Sequence, residues 1–105
     1  MVKLLQNLEG FEWDNANREK NLIAHGVSWE ETEQVFFNTP LYIVPDKKHS
    51  VVEVRYYLLG KTDAHRLLFS AFTVRNNKVR IISARDMHKK ERTVYNEKAQ
   101  NDSQI

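Results

Sequence analysis

Arg66-Leu-Leu-Phe-Ser-Ala-Phe-Thr-Val-Arg-Asn-Asn-Lys-Val-Arg-Ile-Ile-Ser-Ala84 decides the fold. Residues 66–74 are apolar on both faces, as a central strand of a sheet requires. Asn76-Asn77 follows, two residues that tolerate positive φ and so close a tight hairpin. Lys78 to Ala84 then returns as the last strand. Upstream, Val51 to Leu59 alternates, with Val52, Val54, Tyr56 and Leu58 on one face and Glu53, Arg55 and Tyr57 on the other. Gly60-Lys-Thr-Asp63 turns that strand into the hairpin, and Pro45-Asp-Lys-Lys-His-Ser50 joins it to a short strand, Leu41-Tyr-Ile-Val44.

The front of the chain follows a helical period. Phe11-Glu-Trp-Asp14 reads as a short strand ending in a helix N-cap, because Asp14 can accept the unpaired N–H groups of a first turn. Asn15 to His25 forms the helix, and Gly26 stands where a left-handed residue closes it. Ser28-Trp-Glu-Glu31 is a capping box that starts a second helix, with Trp29, Thr32, Val35 and Phe36 at helical spacing and Asn38-Thr-Pro40 as its stop. Asp86 is placed to cap a last helix running to about Ala99, with Met87, Val94 and Tyr95 turned inward and residues 100–105 as a frayed tail. The order β-α-α-β-β-β-β-α with short connections predicts an α+β domain over residues 1–105. Its sheet is antiparallel, of about four to five strands, with two N-terminal helices and one C-terminal helix covering one face.

Composition removes several classes of function. The 105 residues contain no cysteine, which excludes disulfides, thiolate zinc sites and cysteine nucleophiles. Three glycines, none near another, exclude a glycine-rich phosphate loop. His25, His49, His65 and His88 form no i, i+4 pair, so no metal site is expected. With no apolar run of membrane length and no secretory h-region in Met1 to Asn7, a cytoplasmic location is expected, away from membranes.

Net charge is only +2 but is unevenly spread. Residues 1–46 hold eight acids against three bases, whereas residues 47–92 hold twelve bases against four acids. A basic back half suits a polyanion partner. Arg55 and Arg80 lie within strands and Arg85 at the end of one. A guanidinium there needs a paired acid or an open face. Two readings follow. In one, Arg55 pairs with Glu12 or Glu53 and Arg80 lays its stem over apolar surface. In the other, the arginines clamp phosphate, which they bind bidentately. His25 is either a proton carrier near neutral pH or a cation favoured by the C-terminal end of its helix. Lys20, Arg75, Lys78, His88, Lys89 and Arg92 are further candidates for phosphate contacts.

Phe11-Glu-Trp-Asp14, Asn21-Leu22, His25-Gly-Val-Ser28 with Trp29, Arg55-Tyr56 before Gly60, Leu67-Leu68 with Phe72-Thr73, Arg80-Ile-Ile-Ser-Ala-Arg85, Glu91-Arg92 and Tyr95 form a set. In this order and spacing, over residues 11–95, the set resembles the BrnT family of type II toxin–antitoxin ribonuclease toxins. The resemblance implies a RelE-like α+β fold and a metal-independent endoribonuclease needing no cofactor. It also implies a BrnA-like antitoxin with a ribbon-helix-helix domain, through which alone operator DNA is reached. Arg55, Arg80, Arg85 and His25, singled out above from their own chemistry, are the expected catalytic residues. Two departures stand out. Asn17 and Ala24 occupy places where the family commonly carries lysine, with Lys20 nearby as a substitute for one. A non-catalytic toxin-fold module that binds antitoxin and takes part in autoregulation is the alternative.

Overall fold

The computed structural model describes residues 8–48 and 53–102. His49 and the start of the alternating run, Val51 and Val52, lie outside the described residues. The elements are β1 (Gly10–Glu12), α1 (Asn15–His25), α2 (Trp29–Gln34), β2 (Tyr42–Pro45), β3 (Arg55–Lys61), β4 (Leu67–Arg75), β5 (Lys78–Asp86) and α3 (Lys89–Asp102).

The caps are those the sequence specifies. The Asp14 carboxylate accepts from the Asn17 N–H at 2.7 Å. Gly26 closes α1 at φ 66°, a left-handed conformation that costs glycine little. Ser28 and Glu31 exchange side-chain and backbone hydrogen bonds in a complete capping box. Asn76 and Asn77, at φ 51° and 63°, make the β4–β5 turn.

Five strands form one sheet in the order β1-β5-β4-β3-β2. Four of them pair antiparallel, but β1 runs parallel to β5, so the sheet is mixed where an all-antiparallel one was expected. The reason is connection length. The helices between β1 and the rest of the sheet let the first strand return beside the last, and a three-residue strand carries no sequence mark of its direction. The expectation that every helix covers one face also needs correction. Val27, Val35 and Phe36, from α1–α2 and their connections, pack with Leu58, Leu68, Phe72, Val79, Ile81 and Ala84. The neighbours of these residues, Leu59, Leu67 and Phe69, point the other way and meet Met87 and Tyr95 beneath α3. Phe72 lies at the centre of the larger core, between the rings of Phe36 and Tyr56 at 5.2 and 5.4 Å.

Two further expectations change at the C-terminal end. Asp86 is the last residue of β5 rather than a cap, because Arg66 engages both its oxygens at 2.7 and 3.0 Å. His88 stands at the cap position instead, its N–H donating to Glu91 at 2.7 Å. Val94 is exposed while Met87 and Tyr95 are buried, and α3 continues through Asp102 rather than fraying from Gln100.

Candidate nucleic-acid interface

Strict alternation would send Arg80 and Arg85 to opposite faces of β5. The register removes that conflict. Ile81 pairs with Phe72 but Ser83 pairs with Ala71, so Ile82 is an extra residue in the β5 edge. This bulge resets the phase of the strand, and both arginines emerge on the face that carries α3. The edge it opens is sealed by α1. Lys20 Nζ donates to the Ile82 carbonyl at 2.8 Å, and the buried Asn21 accepts from the Ala84 N–H at 3.1 Å.

At the hairpin end of this face, one cross-strand row runs Glu12, Arg80, Thr73, Arg55 over β1, β5, β4 and β3. Strand spacing places the Arg55 and Arg80 backbones roughly 10 Å apart, on either side of the buried Thr73. Arg80 Nη1 donates to Glu12 at 2.7 Å, and its Nη2 lies 3.8 Å from Asp14. Arg75 grips Glu53 with two bonds of 2.7 and 2.8 Å. Those bonds, joined by the charges of Arg75, Arg55 and Arg80, hold the Glu53 carboxyl below the usual range. Lys78 pairs with Arg75 across the strands and shares this face. The expected alternative pairing is thus partly realised with other partners: Glu12 meets Arg80 and Glu53 meets Arg75.

Arg85 lies four positions away along β4, opposite Phe69, roughly 13 Å from the Arg80 row. Its guanidinium covers the Phe69 ring at 4.1 Å and makes a bidentate pair with Glu91 at 2.8 and 3.1 Å. Burial pushes the Glu91 carboxyl up, but Arg85 and the His88 N–H together bring it below its usual value. His25 lies at the exposed end of α1, and Asp86, on which its charge acts, pairs with Leu68 on the face opposite Arg85. Arg92 donates to the Met87 carbonyl at 2.8 Å, and Lys89 opens α3 in solvent. The ten candidate residues therefore divide. Arg55, Arg75, Lys78 and Arg80 gather at the hairpin end. Arg85, His88, Lys89 and Arg92 gather where β5 meets α3, and His25 stands apart from them at the end of α1. Lys20 is engaged at the β5 edge.

The role of Arg66 was not legible from the residues, nor was which arginine each of Glu12 and Glu53 would meet. Arg66 joins three segments, donating to Asp86, to the Gly26 carbonyl at 3.0 Å and to Glu31 at 3.2 Å. It is a tie between the α1–α2 turn and the sheet, and no local pattern marks partners 35 and 20 residues distant. The acids threaded through the arginine row come from β1 and from the approach to β3, and only the parallel pairing of β1 brings Glu12 there. Among the described residues, no group of three or more His, Cys, Asp or Glu gathers as a metal would require, and no helix is long and apolar enough to cross a membrane.

Fold and face together define a class: a small α+β protein with a five-stranded mixed sheet and an arginine-lined face only partly covered by a helix. The family model of the ribonuclease toxin BrnT, of type II toxin–antitoxin systems, matches residues 13–91, and the chain belongs to that family. The family implies ribonuclease activity in general and an antitoxin partner. Among solved structures, the chain is similar to the Brucella abortus ribonuclease toxin BrnT, at 1.1 Å resolution. The match has a TM-score of 0.58 and 18% identity over 76% of this chain and 97% of that one, a likeness of fold. No curated protein matches the chain.

Proposed function

We propose that the chain is a metal-independent endoribonuclease toxin whose arginine row holds the scissile phosphate of single-stranded RNA. The observation that carries the reading is the bulge at Ile82, which turns Arg80 and Arg85 onto the face of Arg55. Arg55 and Arg80 flank one phosphate and Arg85 takes a neighbouring one. Arg75 and Lys78 extend the basic track at one end, and His88, Lys89, Arg92 and His25 extend it at the other. In cleavage, the 2′-oxygen gives up its proton and attacks phosphorus, and the bond to the 5′-oxygen breaks as that oxygen takes a proton from water, leaving a 2′,3′-cyclic phosphate and a 5′-hydroxyl. Guanidinium groups stabilise the charge that builds on the phosphoryl oxygens. Glu12 and Glu53, already against the row, are placed to take the 2′ proton. His25, at the exposed end of α1 and not in the Arg80 row, serves the flanking strand.

The partner on this reading is a BrnA-like antitoxin with a ribbon-helix-helix domain. Residues 47–92 carry a net charge of +8, and an acidic or amphipathic segment laid over them neutralises the face by complementarity. Operator DNA is met through the antitoxin, and unneutralised toxin stops growth in the cytoplasm, where its RNA substrates are. One observation favours the second reading, a non-catalytic antitoxin-binding module. Arg75, Arg80 and Arg85 each already hold a carboxylate.

The test is incubation of the purified chain with single-stranded RNA in EDTA. Fragments ending in 2′,3′-cyclic phosphate are expected. Activity lost in EDTA and restored by magnesium would refute the mechanism, and intact RNA under every condition would favour the module. Co-expression with the adjacent reading frame is expected to restore growth and yield a co-purifying complex.

A further inference from the structure

Between the two basic regions stands Tyr57. It shares the α3-bearing face with Arg55 and Leu59. Leu59 is buried with Met87 and Tyr95 beneath α3, and Arg55 belongs to the phosphate row. Tyr57 lies past the cover of α3 and keeps 37% of its surface exposed. Its ring stacks on Phe69, with centroids 5.9 Å apart and planes inclined by 27°, and Phe69 in turn carries Arg85 at 4.1 Å. Across the sheet from Tyr57 come Ala71 and then Ser83, two short side chains that leave a shallow floor between the Arg80 row and the Arg85 row. Each row is two residues away, roughly 7 Å.

We infer that Tyr57 is the stacking platform for a base of single-stranded RNA, continuing the stack Arg85, Phe69, Tyr57 outward while the adjoining phosphate lies in the Arg55–Arg80 row. The inference rests on the RNA reading above and adds what that reading lacks, a contact to a base. Base-on-aromatic stacking is tolerant of sequence because every base has a π face. It is closed to duplex, whose bases are already paired and stacked, so the platform makes the enzyme selective for unpaired RNA.

The experiment measures fluorescence anisotropy of a labelled 2′-O-methyl oligoribonucleotide, which lacks the attacking hydroxyl, against an abasic ribose-phosphate oligomer of equal length. Wild type is compared with Tyr57→Phe, Tyr57→Leu and Tyr57→Ala, each also melted. Leucine keeps apolar contact with Phe69 but has no π face, so a folding defect is separable from lost stacking. Phenylalanine is expected to bind within twofold of wild type. Leucine and alanine are expected to bind about tenfold more weakly, the loss of one stacked base. The abasic oligomer is expected to bind wild type and Tyr57→Leu alike. Equal binding of the base-bearing strand by wild type and Tyr57→Leu overturns the platform and leaves the nuclease reading standing. Failure of wild type to bind any single strand overturns both.

Discussion

Arg80 is a side chain with two claims on it. Glu12 holds it at 2.7 Å in a half-exposed pair, the kind whose attraction is modest because water screens it. A phosphate, with more acceptor oxygens, competes for the same fork. Glu12→Gln is therefore expected to tighten binding of the uncleavable oligonucleotide several-fold with little change in melting. Unchanged affinity would mean that Glu12 does not obstruct the site. Tyr95 shows the opposite economy. Its hydroxyl donates to the Pro40 carbonyl at 2.7 Å, and burial pushes its pKa up to about 12 from an ordinary value of 10. The fold therefore favours the neutral phenol. The resulting stabilisation is complete below pH 10 and is lost as pH rises from 10 through 12. Denaturant midpoints measured from pH 9 to 12 are expected to fall further for wild type than for Tyr95→Phe, which itself costs about 1 kcal/mol at neutral pH for the lost hydrogen bond. Parallel curves would remove Tyr95 from the alkaline transition.

Among the elements, β5 does most to build the site, and its bulge survives because α1 satisfies the edge it opens. Asn21→Ala leaves the buried Ala84 N–H without its acceptor, at a cost of about 2 kcal/mol, read as a lower melting temperature with the sheet intact. An unchanged melting temperature would show that the edge has another partner. What could be read from the residues also divides at this scale. Asp14, Gly26, Ser28-Trp-Glu-Glu31 and Asn76-Asn77 act on backbone groups within a few positions, so the caps and the hairpin are written locally. The bulge is not, because nothing in Arg80-Ile-Ile-Ser-Ala-Arg85 marks which residue is the extra one until Phe72 and Ala71 are opposite. The direction of β1 is not written locally either, since its partner lies 68 positions on from Glu12 to Arg80. Asp86 looked like a cap by its position, and Arg66 claims it from 20 positions away. The three arginines were legible as cations in strands. That they share a face was not.

At the scale of the molecule, the acidic front half folds onto the basic back half. Glu12 and Asp14 reach Arg80, and Glu31 reaches Arg66, so part of the charge split visible along the chain is neutralised internally. Arg66 bonds hold the Asp86 carboxyl below its ordinary range, and Arg66 with the Ser28 N–H outweighs the burial that pushes Glu31 up. With folded pKa values lowered, these groups stabilise the protein above the ordinary carboxylate values of 3.8 and 4.5, and that stabilisation is lost as pH falls through the lowered values. Acid unfolding curves for wild type and Asp86→Asn are expected to converge once pH has fallen through the lowered Asp86 value and to separate above the ordinary carboxylate range. Curves separated by a constant amount would mean the pair is not the acid-labile tie. The remaining positive face is the one offered to a polyanion. RNA affinity is expected to fall with salt with a logarithmic slope near −2, as about three neutralised phosphates of a single strand require. A slope near zero would remove the arginines from binding.

If Arg55, Arg80 and Arg85 form one phosphate-holding face, their alanine variants lose cleavage and keep the fold, and the two are measured side by side. Cleavage rate of single-stranded RNA and thermal unfolding are recorded for Arg55→Ala, Arg80→Ala and Arg85→Ala, with Arg80→Lys to separate charge from the bidentate fork. A roughly hundredfold loss of rate is expected for Arg55→Ala and Arg80→Ala, as for removal of one preorganised donor to a transition-state anion. A smaller loss is expected for Arg85→Ala, with Arg80→Lys impaired and melting close to wild type throughout. Full cleavage by all three alanine variants would contradict the shared face.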